Sequence, residues 1–436
     1  MAATTAGRRA RRGALLVGLT LTTGLTSCAA APGSRMSADG PIKVGTLYAG
    51  SGQFADSSGP EYAGLQFWAA HANAQGGLWV TALHRRKRVE VVAYDDHSSA
   101  AQAGVLYHRL VEQDHVDILV SDFGSVLTAP AIQVAQRDKV LLFDQTGSGA
   151  QFFNGQNPYI VLCDVPTSAV WPIPLTSFLI QQKLRRVALV YGDNYFDASQ
   201  DQTIAAALTR VGTAPVLNVV VPTESSDYSG VLHAVTASRA DAVIELGYQA
   251  NDVAFLRQLH VKGGGHPPFV FTAFPGQLHK LLEQSVGSAA LTGTFTYGFP
   301  PYVQHSVVNA GLTAAAFAQA LNPQYPDTVS FLDVAGYNTG LIVQAALAGA
   351  RTTGQLGLRT ALSRLSGHLQ TLEGTFRIDA QGAQIGEALP VAQIVPNGPE
   401  STTLRIVTPP KAVEGDRAQA AAALNPAALP DVRTSR

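Results

Sequence analysis

The acidic, imidazole and thiol side chains of this 436-residue chain are the groups that could make or break bonds. Asp95-Asp96 is an adjacent carboxylate pair that follows the strand-like segment Val89 to Tyr94. Paired carboxylates can divide acid and base roles. At the end of a strand, though, they more simply cap the next helix and satisfy loop amides. His97, His108 and His115 fall close together, but nothing near them in sequence completes a metal set. Cys163 ends Tyr159-Ile160-Val161-Leu162-Cys163, where a buried thiol behaves as a small apolar residue. No Gly-x-Ser-x-Gly elbow, Walker loop or His-Glu-x-x-His pair occurs. Gly263-Gly264-Gly265 connects a helix to a strand, whereas a phosphate loop follows a strand and opens a helix. The expectation is a chain that is not an enzyme, with no catalytic residue, no metal and no cofactor.

Two short sequences carry chemistry of another kind. Gly124-Ser125 follows the apolar run Ile118 to Val120, and Thr146-Gly147-Ser148-Gly149 follows Val140 to Phe143. Small residues let a backbone approach a ligand, hydroxyls add donors, and amides at a helix N-terminus suit a carboxylate. Ser, Thr and Gly also make ordinary turns and N-caps, and taken alone that plainer reading is the better one.

The elements that must position these residues alternate along the chain. Ile42 to Leu47 reads as a first strand and Pro60 to Ala74 as a helix, with Tyr62, Leu65, Trp68, Ala69 and Ala72 on one face. Val89 to Tyr94, Ile118 to Val120, Val140 to Phe143 and Tyr159 to Leu162 read as strands, with a helix marked by Ala103, Leu106 and Leu110. Near-continuous apolar strands imply a parallel sheet buried on both faces. The pattern restarts at Arg186 to Tyr191, followed by a helix over 197–211 and strands at Val216 to Val221, Ala242 to Leu246 and Phe269 to Thr272. Helices are expected at Ser229 to Ser238 and Asp252 to Leu259. Thr292 to Tyr297 is expected to cross back to the first lobe, which would be completed by helices at Thr313 to Leu321, Phe331 to Ala348 and Gly357 to Ser366. Gly374 to Gly382 reads as a strand and turn with Val391 to Val395 as its partner. The fold class is therefore α/β: two doubly wound parallel-sheet lobes. The expected division is 41–166 and 296–373 in lobe 1, and 167–295 and 374–408 in lobe 2, with a hinge between.

The ends and the composition bound the setting. Arg8, Arg9, Arg11 and Arg12 precede an uncharged run from Gly13 to Leu25, too short for a permanent membrane span. The ending Leu25-Thr26-Ser27-Cys28 resembles the lipobox of bacterial lipoproteins, in which the Cys becomes the first mature residue and carries acyl chains. On that resemblance 1–27 is a lipoprotein signal peptide, Cys28 is lipidated and 28–40 is a tether. The protein would be exported and held by a lipid anchor at the cell membrane, on its periplasmic or extracellular face. Residues 409–436 read as a disordered tail. The signal holds 4 of the 30 basic residues and none of the 31 acidic ones, so the remainder carries 26 − 31 = −5, which argues against a nucleic-acid partner.

Ser51-Gly52-Gln53, Glu61-Tyr62-Ala63-Gly64, Asn73-Ala74-Gln75-Gly76-Gly77-Leu78 and Tyr94-Asp95-Asp96 stand in order along the first lobe. With them, the chain from about Pro41 to Pro409 resembles the type I periplasmic solute-binding proteins of ABC transporters, in the leucine/isoleucine/valine-binding branch. The resemblance implies capture of a small polar solute (an amino acid, amide or small carboxylate) in an interlobe cleft. Delivery to an ABC permease in the membrane would follow, by a protein acting as a monomer. It assigns the ligand to Ser125, Thr146, Gly147 and Ser148 from one lobe. Tyr195 and Tyr248, which follow strands of the other, would close over it. One departure matters. Where many family members place an acid to pair with a ligand ammonium, this chain reads Ala273-Phe274-Pro275-Gly276. Either Asp122 or Glu245 substitutes, or the ligand is not a zwitterion. The aromatic expected near Ser57 is also absent, with Phe54 in its stead. A subunit that senses a ligand and reports to a membrane receptor is the alternative reading, since one fold can serve both roles. A secreted enzyme is the remote one.

Overall fold

Strands of Val, Ile, Leu and Phe with no polar face can lie only inside a sheet covered on both sides, and two such sheets organise the protein. The computed structural model describes residues 36–261, 267–303, 305, 307–386 and 388–408. The signal run, Cys28, Gly263 to Gly265 and the tail after Thr408 lie outside the described residues.

The first lobe begins with β1 (Ile42–Tyr48) and α1 (Ala55–Ala74), then a hairpin of β2 (Leu78–Val80) and β3 (Arg85–Lys87). It continues through β4 (Val89–Asp95), α2 (Ala100–Glu112), β5 (Ile118–Val120), α3 (Gly124–Asp138), β6 (Leu142–Asp144) and β7 (Ile160–Leu162). The parallel sheet runs in the order β4-β1-β5-β6-β7. The chain moves outward from β1 to one side and then to the other, so the winding reverses between β1 and β5.

The second lobe repeats the scheme. It contains α4 (Ile173–Gln181), β8 (Val187–Gly192), α5 (Tyr195–Arg210), β9 (Leu217–Val221), α6 (Ser229–Ala237) and β10 (Ala242–Leu246). After these come α7 (Gln249–Val261), β11 (Phe269–Thr272), α8 (His279–Val286), α9 (Ser288–Leu291) and β12 (Phe295–Tyr297). The chain then supplies α10 (Ala314–Leu321), α11 (Phe331–Gly349) and α12 (Gln355–Leu365), whose buried Val334, Leu341, Ile342 and Leu358 share the first lobe's core with Ile42 and Trp68. Last come β13 (Leu369–Thr371), β14 (Gly374–Phe376), β15 (Val391–Pro396) and β16 (Thr402–Ile406). The second sheet runs β16-β15-β12-β11-β10-β8-β9 and reverses its winding between β8 and β10.

Three expectations need correction. Phe295–Tyr297 is not a crossing back to the first lobe but an inner strand of the second sheet. It pairs parallel with β11 and antiparallel with β15, and Phe295 stacks on Phe269 at 4.3 Å. The strand at Gly374 pairs with Leu369–Thr371 and not with Val391, because Leu372-Glu373 closes a two-residue turn on its immediate neighbour. Phe376 and Ile378 then stay in the first lobe's core, while β15 lies between β12 and β16. Finally, α1 begins at Ala55 instead of Pro60, so the proline falls inside the helix and not at its start.

Candidate functional site

In an open α/β sheet the loops at a winding reversal splay apart and leave a crevice beyond the strand ends. The two reversals here face each other. From the first lobe come Phe54, after β1, and Ser121 to Ser125, after β5. From the second come Asn194 to Phe196, after β8, and Gly247-Tyr248, after β10.

Tyr248 makes the central contact. Its hydroxyl oxygen accepts the Ser125 backbone N–H, at 3.2 Å, so one lobe reaches the helix N-terminus of the other. The Tyr248 ring is 3% exposed and lies 5.0 Å from Phe54, 5.8 Å from Phe123, 5.5 Å from Phe196 and 5.8 Å from Phe274. Gly124 has φ +70, and a Cβ there would stand 3.1 Å from the Tyr248 ring. Glycine is therefore required twice over. Burial raises the Tyr248 phenol pKa, so the hydroxyl stays neutral.

The hydroxyl-rich loops form one knot. The Gly124 N–H donates to Thr146 Oγ1 at 3.0 Å, and the Gly149 N–H to Ser125 Oγ at 3.0 Å. The Gly147 N–H donates to Asp144 Oδ1 at 2.8 Å. Ser148 is fully buried and its Oγ has no partner, while its carbonyl accepts from the Ser168 N–H at 2.7 Å. Ser125, Thr146, Gly147, Ser148 and Tyr248 thus come together. Tyr195 does not join them. It is 56% exposed at the rim, with its ring 5.8 Å from Phe152 of the first lobe, and its neighbour Phe196 faces Tyr248 instead.

Two polar clasps flank the aromatic cluster across the lobes. Gln53 Nε2 donates to Glu224 Oε1 at 3.0 Å, and Gln249 Nε2 to Asp56 Oδ2 at 3.3 Å. Beside the second clasp lies a cavity of about 160 Å³, lined by Asp56 and Ser330 from one side and Gln277, His279 and Tyr302 from the other. Gln277 is 3% exposed and its Nε2 has no partner.

A pattern missed in the sequence is an acid at or just past the carboxyl ends of β4, β5, β6 and β7: Asp96, Asp122, Asp144 and Asp164, joined by Glu61 of α1. All are buried. Burial raises every one of their pKa values, Asp144 to about 7, despite its hydrogen bonds from Gly147, Ser121 and Thr128. The second lobe holds Asp197, Glu245 and Asp252 in the same way. Asp122 accepts from Ser58 Oγ at 2.5 Å and Glu245 from the Tyr228 hydroxyl at 3.0 Å. At the position of the missing family acid stands the ring of Phe274, whose N–H donates to Asp252 Oδ2 at 2.7 Å.

His108 does gain companions, Glu112 one turn on in α2 and Asp138 from α3, with ligand atoms within 4.8 Å. The Arg137 guanidinium, 2.7 Å from His108 Nδ1 and 2.7 Å from Asp138 Oδ2, already supplies the positive charge there.

This architecture has known relatives. A family model described as periplasmic binding protein matches residues 41–399. Leu/Ile/Val-binding protein homolog 7 of Brucella abortus is 24% identical over 318 residues, covering 69% of this chain and 75% of its own. Among solved structures, the branched-chain amino acid transporter substrate-binding protein LivJ of Streptococcus pneumoniae, in complex with isoleucine, superposes with a TM-score of 0.68. It shares 19% identity over 85% of this chain and all of its own. The ABC transporter solute-binding protein of R. palustris, in complex with benzoate, gives 0.69 at 16% identity, over 86% of this chain and 98% of its own. The chain belongs to the periplasmic binding protein family, in the two-lobed type I fold. Solute-binding proteins of ABC transporters are among the solved structures that share this fold. Among the described residues no helix is long and apolar enough to cross a membrane.

Proposed function

We propose that this protein captures a small carboxylate with an apolar or aromatic body between its lobes and delivers it to an ABC permease. The observation that carries the reading is the Tyr248 hydroxyl on the N–H of Ser125. The first amides of a fifteen-residue helix attract anions, and a neutral phenol is a poor substitute that a ligand carboxylate displaces. The rings of Phe54, Phe123, Phe196 and Phe274 would take the apolar body, as the isoleucine and benzoate complexes of the relatives suggest. Ser125, Thr146, Gly147 and Ser148 are the first-lobe contacts, with the unpartnered Ser148 Oγ free to donate. Tyr248 closes the cleft and Tyr195 lies at its rim.

The surrounding acids support an anion over a zwitterion. Burial raises the pKa of each, so they carry less charge near neutral pH than exposed carboxylates would, which lowers both their repulsion of a carboxylate and their attraction for an ammonium. Capture requires the lobes to part, because the Tyr248 hydroxyl and ring occupy the space over Ser125 and Phe123. The chain would bend where it passes between the lobes. In this reading Cys28 carries the lipid anchor and the protein acts as a monomer.

A thermal-shift screen of the processed chain tests it, with benzoate, small aliphatic carboxylates, amides and amino acids each supplied at 100 times its dissociation constant. A bound ligand raises the stability by about 2.7 kcal/mol. A response to carboxylates and not to their amides supports the reading. A response to amino acids alone would overturn the carboxylate assignment, and no response at all would move the weight to another role.

A further inference from the structure

We propose that the β2–β3 hairpin, together with Arg88, is a docking surface for the anionic headgroups of the membrane beneath the protein. The inference rests on Cys28 being the lipid anchor.

Arg85, Arg86, Lys87 and Arg88 are four consecutive basic residues in a chain whose net charge beyond the signal is negative. The register pairs Leu78 with Lys87, Trp79 with Arg86 and Val80 with Arg85. Alternation therefore turns Leu78 and Val80 into the core and presents Trp79 and Arg86 together on the outer face. Trp79 is 44% exposed, whereas Trp68 and Trp171 are 1% and 2% exposed. Arg85, Arg86 and Arg88 are all exposed. An exposed tryptophan beside arginines is the composition of a membrane-interface anchor. An open concavity of about 570 Å³ lies between Arg85, Arg86, Arg88 and the N-terminal segment, with Asp39 and Glu90 as its acidic members.

The hairpin also lies where the anchor must be. Lys87 Nζ donates to the carbonyl of Ser37 at 2.5 Å, and Arg85 Nη1 to that of Ala38 at 3.3 Å. The inner cations thus hold the chain just after the stretch that leads from Cys28. The eight residues from Cys28 to Arg35 can span at most roughly 28 Å, so an acylated Cys28 keeps this edge of the fold near the bilayer. Each cation near an anionic surface adds to the attraction. The hairpin sits at the N-terminal edges of β1 and β4, where Ile42 pairs with Val89, opposite the strand ends that form the cleft. Docked in this way, the cleft faces away from the membrane and is open to solute; hand-over to a permease requires release.

Trp79 reports the contact, since it is the one exposed tryptophan of three. The processed chain is mixed with vesicles of phosphatidylglycerol or of phosphatidylcholine, and its fluorescence is quenched with acrylamide. Quenching should fall at least about twofold on phosphatidylglycerol alone and recover in high salt. The R85Q/R86Q/R88Q chain should lose this protection with its solute response unchanged. Equal quenching with and without phosphatidylglycerol overturns the proposal, as does protection that survives in the triple variant. Protection seen only on membranes that contain the permease would assign the face to a protein partner and also overturn it. The mass of the processed N-terminus reads the acyl chains separately. A bare Cys28 would sink the anchor, while the added vesicles would still test the hairpin.

Discussion

Tyr248 joins the lobes through its hydroxyl as well as its ring, and its environment fixes what a substitution will do. Removing the hydroxyl leaves the ring packed among four phenylalanines and frees the Ser125 N–H for a ligand. A typical hydrogen bond contributes about 0.5–1.5 kcal/mol net, so Tyr248→Phe should tighten carboxylate binding by roughly two- to tenfold. Titration calorimetry on the carboxylate found in the screen checks this; a tenfold loss would mean that the hydroxyl contacts the ligand and is not displaced by it. Ser148→Ala combined with Tyr195→Ala should act the other way. It removes the buried hydroxyl without a partner and the rim aromatic, and binding should weaken at least about tenfold, or about 1.4 kcal/mol. Unchanged titration curves for the double variant would remove both residues from the site.

At the scale of elements, the first lobe depends on how closely α1 and α11 cross. A Cβ on Gly336 would lie 1.8 Å from the Glu61 carbonyl oxygen, and one on Gly340 would lie 2.2 Å from the Trp68 ring. From the other helix, a Cβ on Gly64 would stand 2.0 Å from the Asp333 carbonyl oxygen. None of these contacts can be relieved by turning a flexible side chain. Gly336→Ala or Gly340→Ala should therefore cost about 1–3 kcal/mol through overpacking, seen as a lowered urea midpoint. The loss should reach binding too, because Asp56 and Pro60 at the start of α1 line the interlobe cavity. Wild-type stability in Gly336→Ala would mean the helices separate more easily than their contact implies.

Across the whole molecule the buried acids set the response to pH. Burial holds Asp144 at about 7, and Asp96 also lies above its ordinary range. A raised carboxyl pKa means that the folded state binds more protons than the unfolded chain near neutrality. Its contribution is complete below the unfolded value and is lost as pH rises through the folded one. His279 acts in the opposite direction at the acid end. Burial lowers its pKa to about 4, so folding loses stability as pH falls below the unfolded histidine value. Between about pH 6.5 and 8 only the acids operate, and the urea midpoint should fall steadily across that window. The same trend should favour the protonated acids that tolerate a bound carboxylate, so affinity for it should weaken as pH rises. A midpoint that climbs over this range would show that the acids are ionised in the folded protein.

The local order of strands, the two-lobed class and the hydroxyl-rich loops were legible in the sequence, because each is written in adjacent residues. Ile118 to Val120 reads as a buried strand, and Gly124-Ser125 falls at the head of the helix that follows it. The tertiary structure alone decided what depends on residues far apart. Phe295–Tyr297 joined the second sheet because aromatic partners from β11 and a strand almost a hundred residues later received it. The hairpin at Gly374 closed on its neighbour because a short turn forms at less entropic cost than a long loop. Asp96, Asp122, Asp144 and Asp164 are separate acids in the sequence, and only the parallel sheet gathers them into one buried group. Phe196, not Tyr195, met Tyr248 because a helix turns successive side chains about 100° apart, and the orientation of α5 settles which of the two faces the other lobe.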